Sequence, residues 1–325
     1  MSRILIISLL LTASVALCSA DQMSGPVSGL LVDRQTHSIR PIVGLAGSAY
    51  AGGNAVGEAE FALAASDGRT ALVVKRATLF SVGNLDSGQP VWRKLGENKA
   101  AAGAAAWSAD AKSLAVYFPS ASRLRMWTGA QETPESTGDI DLSLIEGRVS
   151  ALAVGSDGRT AFATIENGEA GALYMLRVGE SPRMLQAMSR GSLLAVSGAS
   201  IYAADRERNE VVRIEGWDSN LTMTTVATSA HGVSDPVGIA LTADGRRLLV
   251  ANGKARQVLV LDAGTSTTVG VVDLDFTPTS LEASGRVFLL AEGEAGQRPA
   301  QVLEPAGMTV HFVPIPAPAA APVVE

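Results

Sequence analysis

Residues 241–249, Leu-Thr-Ala-Asp-Gly-Arg-Arg-Leu-Leu, place a tight Asp-Gly turn between two apolar runs. The same arrangement recurs at residues 65–73 and 154–162, with Asp-Gly-Arg again at the turn. Asp and Gly tolerate turn conformations and satisfy backbone groups locally. Because a unit of this length cannot bury its own apolar faces, the copies must pack on one another. The pattern predicts an all-β repeat protein.

The spacing of the turns indicates the architecture. Equivalent positions lie 40 to 47 residues apart, which is the length of a four-stranded propeller blade. In each unit we assign an inner strand A of small residues before the turn, strand B after it, and then strands C and D with period-two alternation. The sequence therefore predicts a β-propeller of four-stranded antiparallel blades. The aligned positions are Asp67, Asp110, Asp157, Ala199, Asp244 and Ser284.

The number of blades depends on the two ends of the repeat region. Six A–B strand pairs can be counted. Residues 28–43 and 300–315 both look like C–D hairpins, so the number of C–D pairs is seven. One inner strand per blade favours six blades, whereas residues 21–313 allow seven blades of about 42 residues each. We predict seven rather than six. The Gly-rich stretch 44–60 would supply the missing inner strand, and the two chain ends would meet in one blade, leaving no exposed sheet edge.

Both ends of the chain look separate from the propeller, which we assign to residues 21–313. Residues 1–20 combine a positive start, an apolar stretch and small residues before Ala20, as in a signal peptide cleaved after that residue. A lipid-modified Cys18 is the rival interpretation, but Leu17 stands where a small residue is normally required. We predict export to the periplasm or the extracellular space. Residues 314–325 form a Pro/Ala-rich tail that we expect to be disordered, with a spacer or docking tail as the alternative.

Composition excludes several functional classes. Cys18 is the only cysteine, so thiolate metal sites and cysteine nucleophiles are not expected in the exported chain. The 26 basic and 32 acidic residues are interspersed without a basic block, which argues against nucleic acid as a partner. After the signal, no stretch approaches the roughly 20 apolar residues of a membrane span. We therefore expect a monomer without a transmembrane segment.

The best-formed repeat carries a resemblance to a known family. Residues 236–252, Pro-Val-Gly-Ile-Ala-Leu-Thr-Ala-Asp-Gly-Arg-Arg-Leu-Leu-Val-Ala-Asn, are followed by Val-Leu-Val-Leu-Asp at 258–262. This unit resembles the YVTN-type repeats, relatives of the lactonase-like propellers of exported bacterial proteins. At the level of pattern the resemblance covers residues 28–315, but only Leu249-Val250-Ala251-Asn252 approaches the tetrapeptide of the family. It implies a degenerate member with a propeller fold, and it does not carry over a ligand.

Catalytic and metal-binding patterns are weak. The three histidines, His37, His231 and His311, lack ligand-like spacing. The recurring turn aspartates invite a calcium interpretation, but one carboxylate per blade does not provide the six to eight converging oxygens that calcium requires. No Gly-x-Ser-x-Gly motif and no phosphate-binding glycine loop occurs. We predict no catalytic residue, no metal and no cofactor.

The loops give the one indication of where a ligand would bind. In a propeller the A–B and C–D turns share one end, here named the turn face, and the B–C and D–A connections share the other, here named the loop face. The longest segments, 44–60, 129–148 and 216–236, fall on the loop face with several charged B–C loops. Variable loops on a rigid scaffold usually carry recognition, although solvated charge explains each loop singly. We predict that a ligand binds there, near the channel, through Arg206, Arg208, Lys254 and Arg256.

Three functions remain open from the sequence. The first is an exported, non-enzymatic scaffold that binds a protein or a small ligand through the loop face. The second is a lactonase-like or other hydrolase with its site at the central channel, which would need polar side chains projecting from the Ala/Gly-rich inner strands. The third is a structural module of the cell envelope, tethered by the Pro/Ala tail.

Overall fold

The computed structural model describes residues 25–98, 100–292 and 300–315. These residues form seven antiparallel sheets, six with four strands and the first with three. Within each sheet, strands that are consecutive in sequence are hydrogen-bonded neighbours, so every blade is one continuous segment. The predicted seven-bladed, all-β propeller is confirmed. The predicted signal peptide 1–20 and residues 316–325 of the predicted tail lie outside the described residues.

The strands are numbered in chain order, and blades 1 to 7 follow the same order. Blades 1 to 3 contain β1 (Val27–Val32), β2 (Ile39–Val43) and β3 (Tyr50–Ala51); β4 (Phe61–Ala64), β5 (Ala71–Lys75), β6 (Thr78–Gly83) and β7 (Val91–Glu97); and β8 (Ala104–Trp107), β9 (Leu114–Phe118), β10 (Arg123–Thr128) and β11 (Glu135–Asp141). Blades 4 and 5 contain β12 (Arg148–Val154), β13 (Thr160–Asn167), β14 (Ala170–Arg177) and β15 (Arg183–Ser189); and β16 (Leu193–Ser197), β17 (Ser200–Asp205), β18 (Glu210–Glu215) and β19 (Thr222–Ala227). Blades 6 and 7 contain β20 (Pro236–Leu241), β21 (Arg247–Asn252), β22 (Gln257–Asp262) and β23 (Thr268–Asp273); and β24 (Pro278–Ser284), β25 (Val287–Glu292), β26 (Ala300–Glu304) and β27 (Thr309–Val313).

Helical structure is limited to two single 3₁₀ turns in the described residues, at Pro119–Ala121 and Ser229–His231. No helix in this part of the chain is long and apolar enough to cross a membrane.

The hydrophobic core is divided among the spaces between blades. Seven apolar clusters occur in the described residues, and each takes its side chains from two adjacent blades. Blades 2 and 3, for example, bury Leu72 against Trp127, and blades 4 and 5 bury Phe162 against Ile201. Full burial of one such side chain stabilises the fold by about 1.5–3 kcal/mol. Because a cluster also joins blade 7 to blade 1, the ring is closed.

The recurring turn aspartates hold the A–B turns. Asp157 Oδ1 accepts hydrogen bonds from the backbone N–H groups of Arg159 and Thr160, at 3.0 and 2.9 Å, and Oδ2 accepts from the Thr160 hydroxyl at 2.6 Å. Gly158 between them has φ +66°, a conformation that favours glycine. Burial alone would raise the pKa of Asp157, but these hydrogen bonds outweigh it and hold the pKa below its ordinary value. The turn chemistry therefore accounts for the repeat of Asp-Gly along the chain.

Ring closure depends on β1, which lies innermost in blade 1. The Leu30 N–H donates to Ser284 Oγ at 2.7 Å, and the same hydroxyl donates to the Leu30 carbonyl at 3.0 Å. The Arg34 guanidinium, just after β1, lies 2.6 Å from the Ser280 hydroxyl. β1 therefore runs antiparallel to β24, the inner strand of blade 7. A Cβ at Gly29 would lie 2.5 Å from the Ser284 carbonyl oxygen, so this approach requires glycine.

Three predictions about the seam are wrong. Residues 28–43 do not form an outer C–D hairpin, because β1 lies beside the inner strands β4 and β24. The stretch 44–60 does not supply the inner strand, because it pairs with the free edge of β2 through Ile42–Ala51 and Ile39–Val56. Among the described strands the first and the last also do not share a blade, since β1 belongs to the sheet at 27–51 and β27 to the sheet at 278–313. They meet across the seam, where the Ala51 N–H donates to the Pro314 carbonyl at 3.0 Å.

Candidate functional site

The four predicted binding residues lie on two neighbouring B–C turns of the loop face. Arg206 and Arg208 belong to the turn between β17 and β18 of blade 5. Lys254 and Arg256 belong to the turn between β21 and β22 of blade 6. All four residues are exposed. The chain thus carries four cations on adjacent blades, although 45 positions or more separate the two pairs in sequence.

Asp235, in the loop before β20, joins the two turns. Its carboxylate accepts hydrogen bonds from the Arg206 guanidinium at 2.5 and 3.3 Å. Its backbone N–H donates to the Asn209 side chain at 2.5 Å, and its carbonyl accepts from the Gly253 N–H at 2.8 Å. One residue therefore braces the Arg206 turn and the Lys254 turn together. Asp235 was not predicted from the sequence, because a single Asp before Pro236 belongs to no recurring pattern.

Asp205 holds the other end of the blade 5 turn. Its buried carboxylate accepts from the Ser189 N–H at 2.9 Å, from the Ser189 hydroxyl and from the Arg208 N–H at 3.0 Å. The Arg208 guanidinium lies 3.8 Å from the same carboxylate, while its side chain remains 56% exposed. Burial alone would raise the pKa of Asp205, but the hydrogen bonds outweigh it and lower the pKa below its usual range. Asp205 thus fixes the turn from which Arg208 projects.

The blade 6 turn leaves its two cations accessible. Asn252, completely buried at the end of β21, accepts from the Ser234 N–H at 3.0 Å and donates to the Gly232 carbonyl at 3.3 Å. These hydrogen bonds attach the start of the turn to the loop at residues 232–234. No ion pair between described residues involves Lys254 or Arg256. Of the four predicted residues, Arg206 forms an ion pair with Asp235, whereas Lys254 and Arg256 are exposed to solvent on a turn that these hydrogen bonds hold in place.

Replacing Asp205 with asparagine is expected to lower the free energy of unfolding by about 1–3 kcal/mol at pH 7, because a buried charged acceptor is lost. A lowered native pKa stabilises the fold above the unfolded pKa of about 4, and this contribution is lost as pH falls through the native value. The difference between wild type and Asp205→Asn should therefore shrink at pH 3. Urea unfolding at both pH values measures it, with the exposed Asp273→Asn as the control. An unchanged difference at pH 3 would show that the carboxylate charge is not involved.

A cavity of about 940 Å³ lies in the central channel, near the turn face and away from these four residues. Its wall is formed by the ends of the inner strands and by A–B turns, including Asp67 and Asp110. Asp67 accepts hydrogen bonds from the Thr70 hydroxyl at 2.7 Å and from Gln131 at 3.0 Å, and Asp110 accepts from the Ser108 hydroxyl at 2.6 Å. These carboxylates hold turns, whereas a general base must be positioned against a substrate proton.

The three histidines lie in three different parts of the fold, and His311 belongs to β27. His37 lies in the β1–β2 turn and stacks on Phe61 with 6.2 Å between ring centres. His231 caps its own 3₁₀ turn through Thr228. In the described part of the chain, no group of three or more His, Cys, Asp or Glu residues is arranged to hold a metal ion.

Comparison with known proteins supports the fold alone. No protein-family model matches the chain, and no curated protein matches it. Three similar solved structures are a functionally unknown protein from Desulfotomaculum acetoxidans (14% identity, 75% of this chain and 78% of that chain, TM-score 0.52), a nidogen/laminin complex (14%, 74% and 90%, 0.52) and hydrazine synthase from Kuenenia stuttgartiensis (13%, 86% and 95%, 0.53). At this level of identity the likeness shows the β-propeller fold and no shared activity.

Proposed function

We propose that this protein is an exported, non-enzymatic binding scaffold that receives a protein or small-ligand partner on its loop face. The observation that carries the proposal is the pair of exposed cations, Lys254 and Arg256, on a turn anchored by Asn252 and Asp235. A rigid base reduces the conformational entropy that a binding residue loses when a partner docks. A partner with an anionic group fits this pair.

The four cations take different roles in this proposal. Lys254 and Arg256 contact the partner, and Arg208 extends the same surface towards blade 5. Arg206 is a positioning residue, since its ion pair with Asp235 keeps the two turns side by side. Exposed pairs of this kind are worth about 0–1 kcal/mol, so the loss of Arg206 should loosen the junction without unfolding the blade.

Family membership and export are parts of the same proposal. The β20–β22 segment carries the best YVTN-type pattern, which supports a degenerate member of that group. The apolar segment at 4–16 and the small residues up to Ala20 support a cleaved signal and a periplasmic or extracellular location. The hydrolase alternative would use the channel, where Asp67 and Asp110 are occupied by turn hydrogen bonds; this favours the scaffold.

The double variant Lys254→Gln/Arg256→Gln is expected to reduce partner capture from envelope extract at least tenfold, that is by about 1.4 kcal/mol or more of binding free energy. The melting temperature should not change, because both side chains are exposed. Immobilised protein and quantitative mass spectrometry of the retained material measure the effect. The matched control is Lys112→Gln/Arg159→Gln, which removes the same charge from exposed positions on the turn face. Equal losses in both variants, or retained capture by the first, would refute the assignment of the loop face.

A further inference from the structure

The outer edge of blade 6 is a row of backbone groups that point out of the sheet. The Leu274 N–H, just after β23, donates to the Arg256 carbonyl at 2.8 Å and continues the register of β22 and β23. In an antiparallel ladder only every second pair exchanges such bonds. The N–H and C=O groups of Asp273 and Val271, one and three residues before Leu274, therefore point away from β22. On that side the sheet has no further strand in the described residues.

This edge consists of uncharged residues, most of them β-branched. Val269 and Val271 are 41% and 47% exposed, and β23 carries no charge before Asp273, its last residue. By contrast, β7, β11 and β15, the outer strands of blades 2, 3 and 4, each contain charged residues. Charged side chains on an edge strand oppose the addition of another strand. β23 lacks this protection, and its valines favour strand pairing.

The rest of blade 6 holds this edge in place. Four of the six residues of β22 are buried, and Val272 packs in the cluster between blades 6 and 7. A Cβ at Gly270 would lie 2.5 Å from the sulfur of Met308, so blade 7 lies directly against this strand. An edge that is already ordered loses little conformational entropy when a partner pairs with it.

The loop-face end of this edge lies beside the exposed cations of the blade 6 turn. The hydrogen bond between Leu274 and Arg256 joins the end of β23 to that turn, on which Lys254 is also exposed. The outer strands of blades 5 and 7 also lack Asp, Glu, Lys and Arg, but β23 is the one that ends at this turn. An open backbone edge and two positive charges thus meet at one end of blade 6.

These features define the chemistry of a partner. An open sheet edge is complementary to an extended segment, whose main chain supplies matching donors and acceptors. In the antiparallel orientation, the slightly more stable one, the added strand starts at the loop face, so a carboxylate at its start would be attracted to Lys254 and Arg256. Asp273 and Asp275 lie at the same end. Because like charges directly opposite each other are destabilising, the carboxylate must precede the residues that pair with β23.

We propose that the partner received at the loop face adds an extended segment to β23 as a fifth strand of blade 6. The segment begins with one or two acidic residues and continues with about five uncharged, β-branched residues, the length of an ordinary strand. The proposal rests on the proposed function, because it names the partner of the same two cations. It adds the outward backbone groups of Val271 and Asp273 to the groups that bind.

Binding of defined peptides tests the proposal. Three fluorescent peptides are titrated by anisotropy: Asp-Glu-Ser-Thr-Val-Thr-Val-Thr, the same peptide starting with Gln-Gln, and the acidic peptide with both valines replaced by proline. The wild-type chain should bind the acidic peptide about tenfold more tightly than either of the others, because only the first has both the carboxylates and the main-chain donors. In the double variant Lys254→Gln/Arg256→Gln, the acidic and Gln-Gln peptides should bind about equally.

Two substitutions of one residue separate its backbone from its side chain. Val271→Pro removes an outward N–H but no hydrogen bond to β22, a position at which edge strands tolerate proline. It should weaken binding of the acidic peptide about tenfold. Val271→Ala keeps the N–H and should remain within about threefold of wild type. Circular dichroism and the melting temperature show that both variants are folded.

Amide hydrogen exchange in the wild-type chain needs no substitution. At saturating acidic peptide, the amides of Val271 and Asp273 should exchange at least tenfold more slowly, because the added strand accepts their hydrogen bonds. The amides of β7, on the far side of the ring, should not change.

The results separate this proposal from the proposed function. Strand addition is contradicted if the acidic peptide does not bind, if Val271→Pro binds it as tightly as Val271→Ala, or if exchange at Val271 and Asp273 is unchanged. In each case the loop-face function still stands if Lys254→Gln/Arg256→Gln loses partner capture from envelope extract. Equal wild-type binding of the acidic and Gln-Gln peptides, with Val271 protected from exchange, would instead contradict the carboxylate contact and the role assigned to the two cations.

Discussion

Gly29→Ala is expected to lower the free energy of unfolding by about 3 kcal/mol, because it forces apart β1 and β24, which meet at the seam of the ring. The added Cβ would lie 2.5 Å from the Ser284 carbonyl oxygen and 2.9 Å from its hydroxyl oxygen. Relief of this overlap separates β1 from β24 and breaks both hydrogen bonds between Leu30 and Ser284. Urea unfolding followed by circular dichroism gives the difference.

The matched control for this substitution is Gly53→Ala. A Cβ at Gly53 meets no atom within 4 Å, so the same chemical change is made without a collision. We expect Gly53→Ala to remain close to wild type. If Gly29→Ala were as stable as Gly53→Ala, the close approach of β1 to β24 would be refuted.

Trp127→Ala is expected to lower the free energy of unfolding by about 3–5 kcal/mol, the range for removal of a large buried aromatic side chain. Trp127 is only 2% exposed and packs with Leu72 and Leu114 in the cluster between blades 2 and 3. Its indole N–H also donates to the Leu95 carbonyl at 3.2 Å, which ties the outer strand of blade 2 to blade 3. Thermal and urea unfolding measure the loss.

Trp127→Phe separates the two contributions. Phenylalanine keeps most of the apolar packing but cannot donate to the Leu95 carbonyl. Because that carbonyl loses its partner and the ring is smaller, the free energy of unfolding should fall by about 1–3 kcal/mol. An alanine variant no less stable than the phenylalanine variant would contradict the burial of this side chain between blades.

The inner part of each blade was predictable from sequence because its physics is local. The Asp-Gly turn requires a carboxylate and a positive φ within four residues, and both are visible in Asp157-Gly158. Strands that follow these turns are buried on both faces, as in β9 and β21, and therefore read as apolar runs. The repeat of this signal was sufficient for the propeller fold and for six of its blades, whereas the seventh was predicted from the length of the repeat region and the surplus hairpin.

Outer strands and the seam were not predictable in the same way. β11 and β19 are largely exposed and polar, so they were grouped with the irregular loop segments 129–148 and 216–236. Blade 1 has no Asp-Gly turn, and the role of β1 depends on Gly29 meeting a residue 255 positions later, Ser284. A contact at that distance in sequence leaves no local pattern.

The candidate site also combines features that local sequence predicted with contacts between blades that it did not. Charge and turn position identified the four cations of the two B–C turns. Their different surroundings come from Asp235 and Asp205, whose hydrogen bonds reach across blades. The predicted contribution of Lys254 and Arg256 to binding stays a prediction that the double variant addresses.

The closed ring is tested most directly by the distance between spin labels at Leu45→Cys and Phe312→Cys, in a chain in which Cys18 is replaced by Ser. Both positions are exposed, and a Cβ at the nearby Gly47 would contact the His311 ring at 3.4 Å. The closed seven-bladed ring predicts a short distance, set mainly by the label linkers. Seven sheets stacked about 10 Å apart without closure would separate the labels by roughly 60 Å, and a distance of that size would contradict the account.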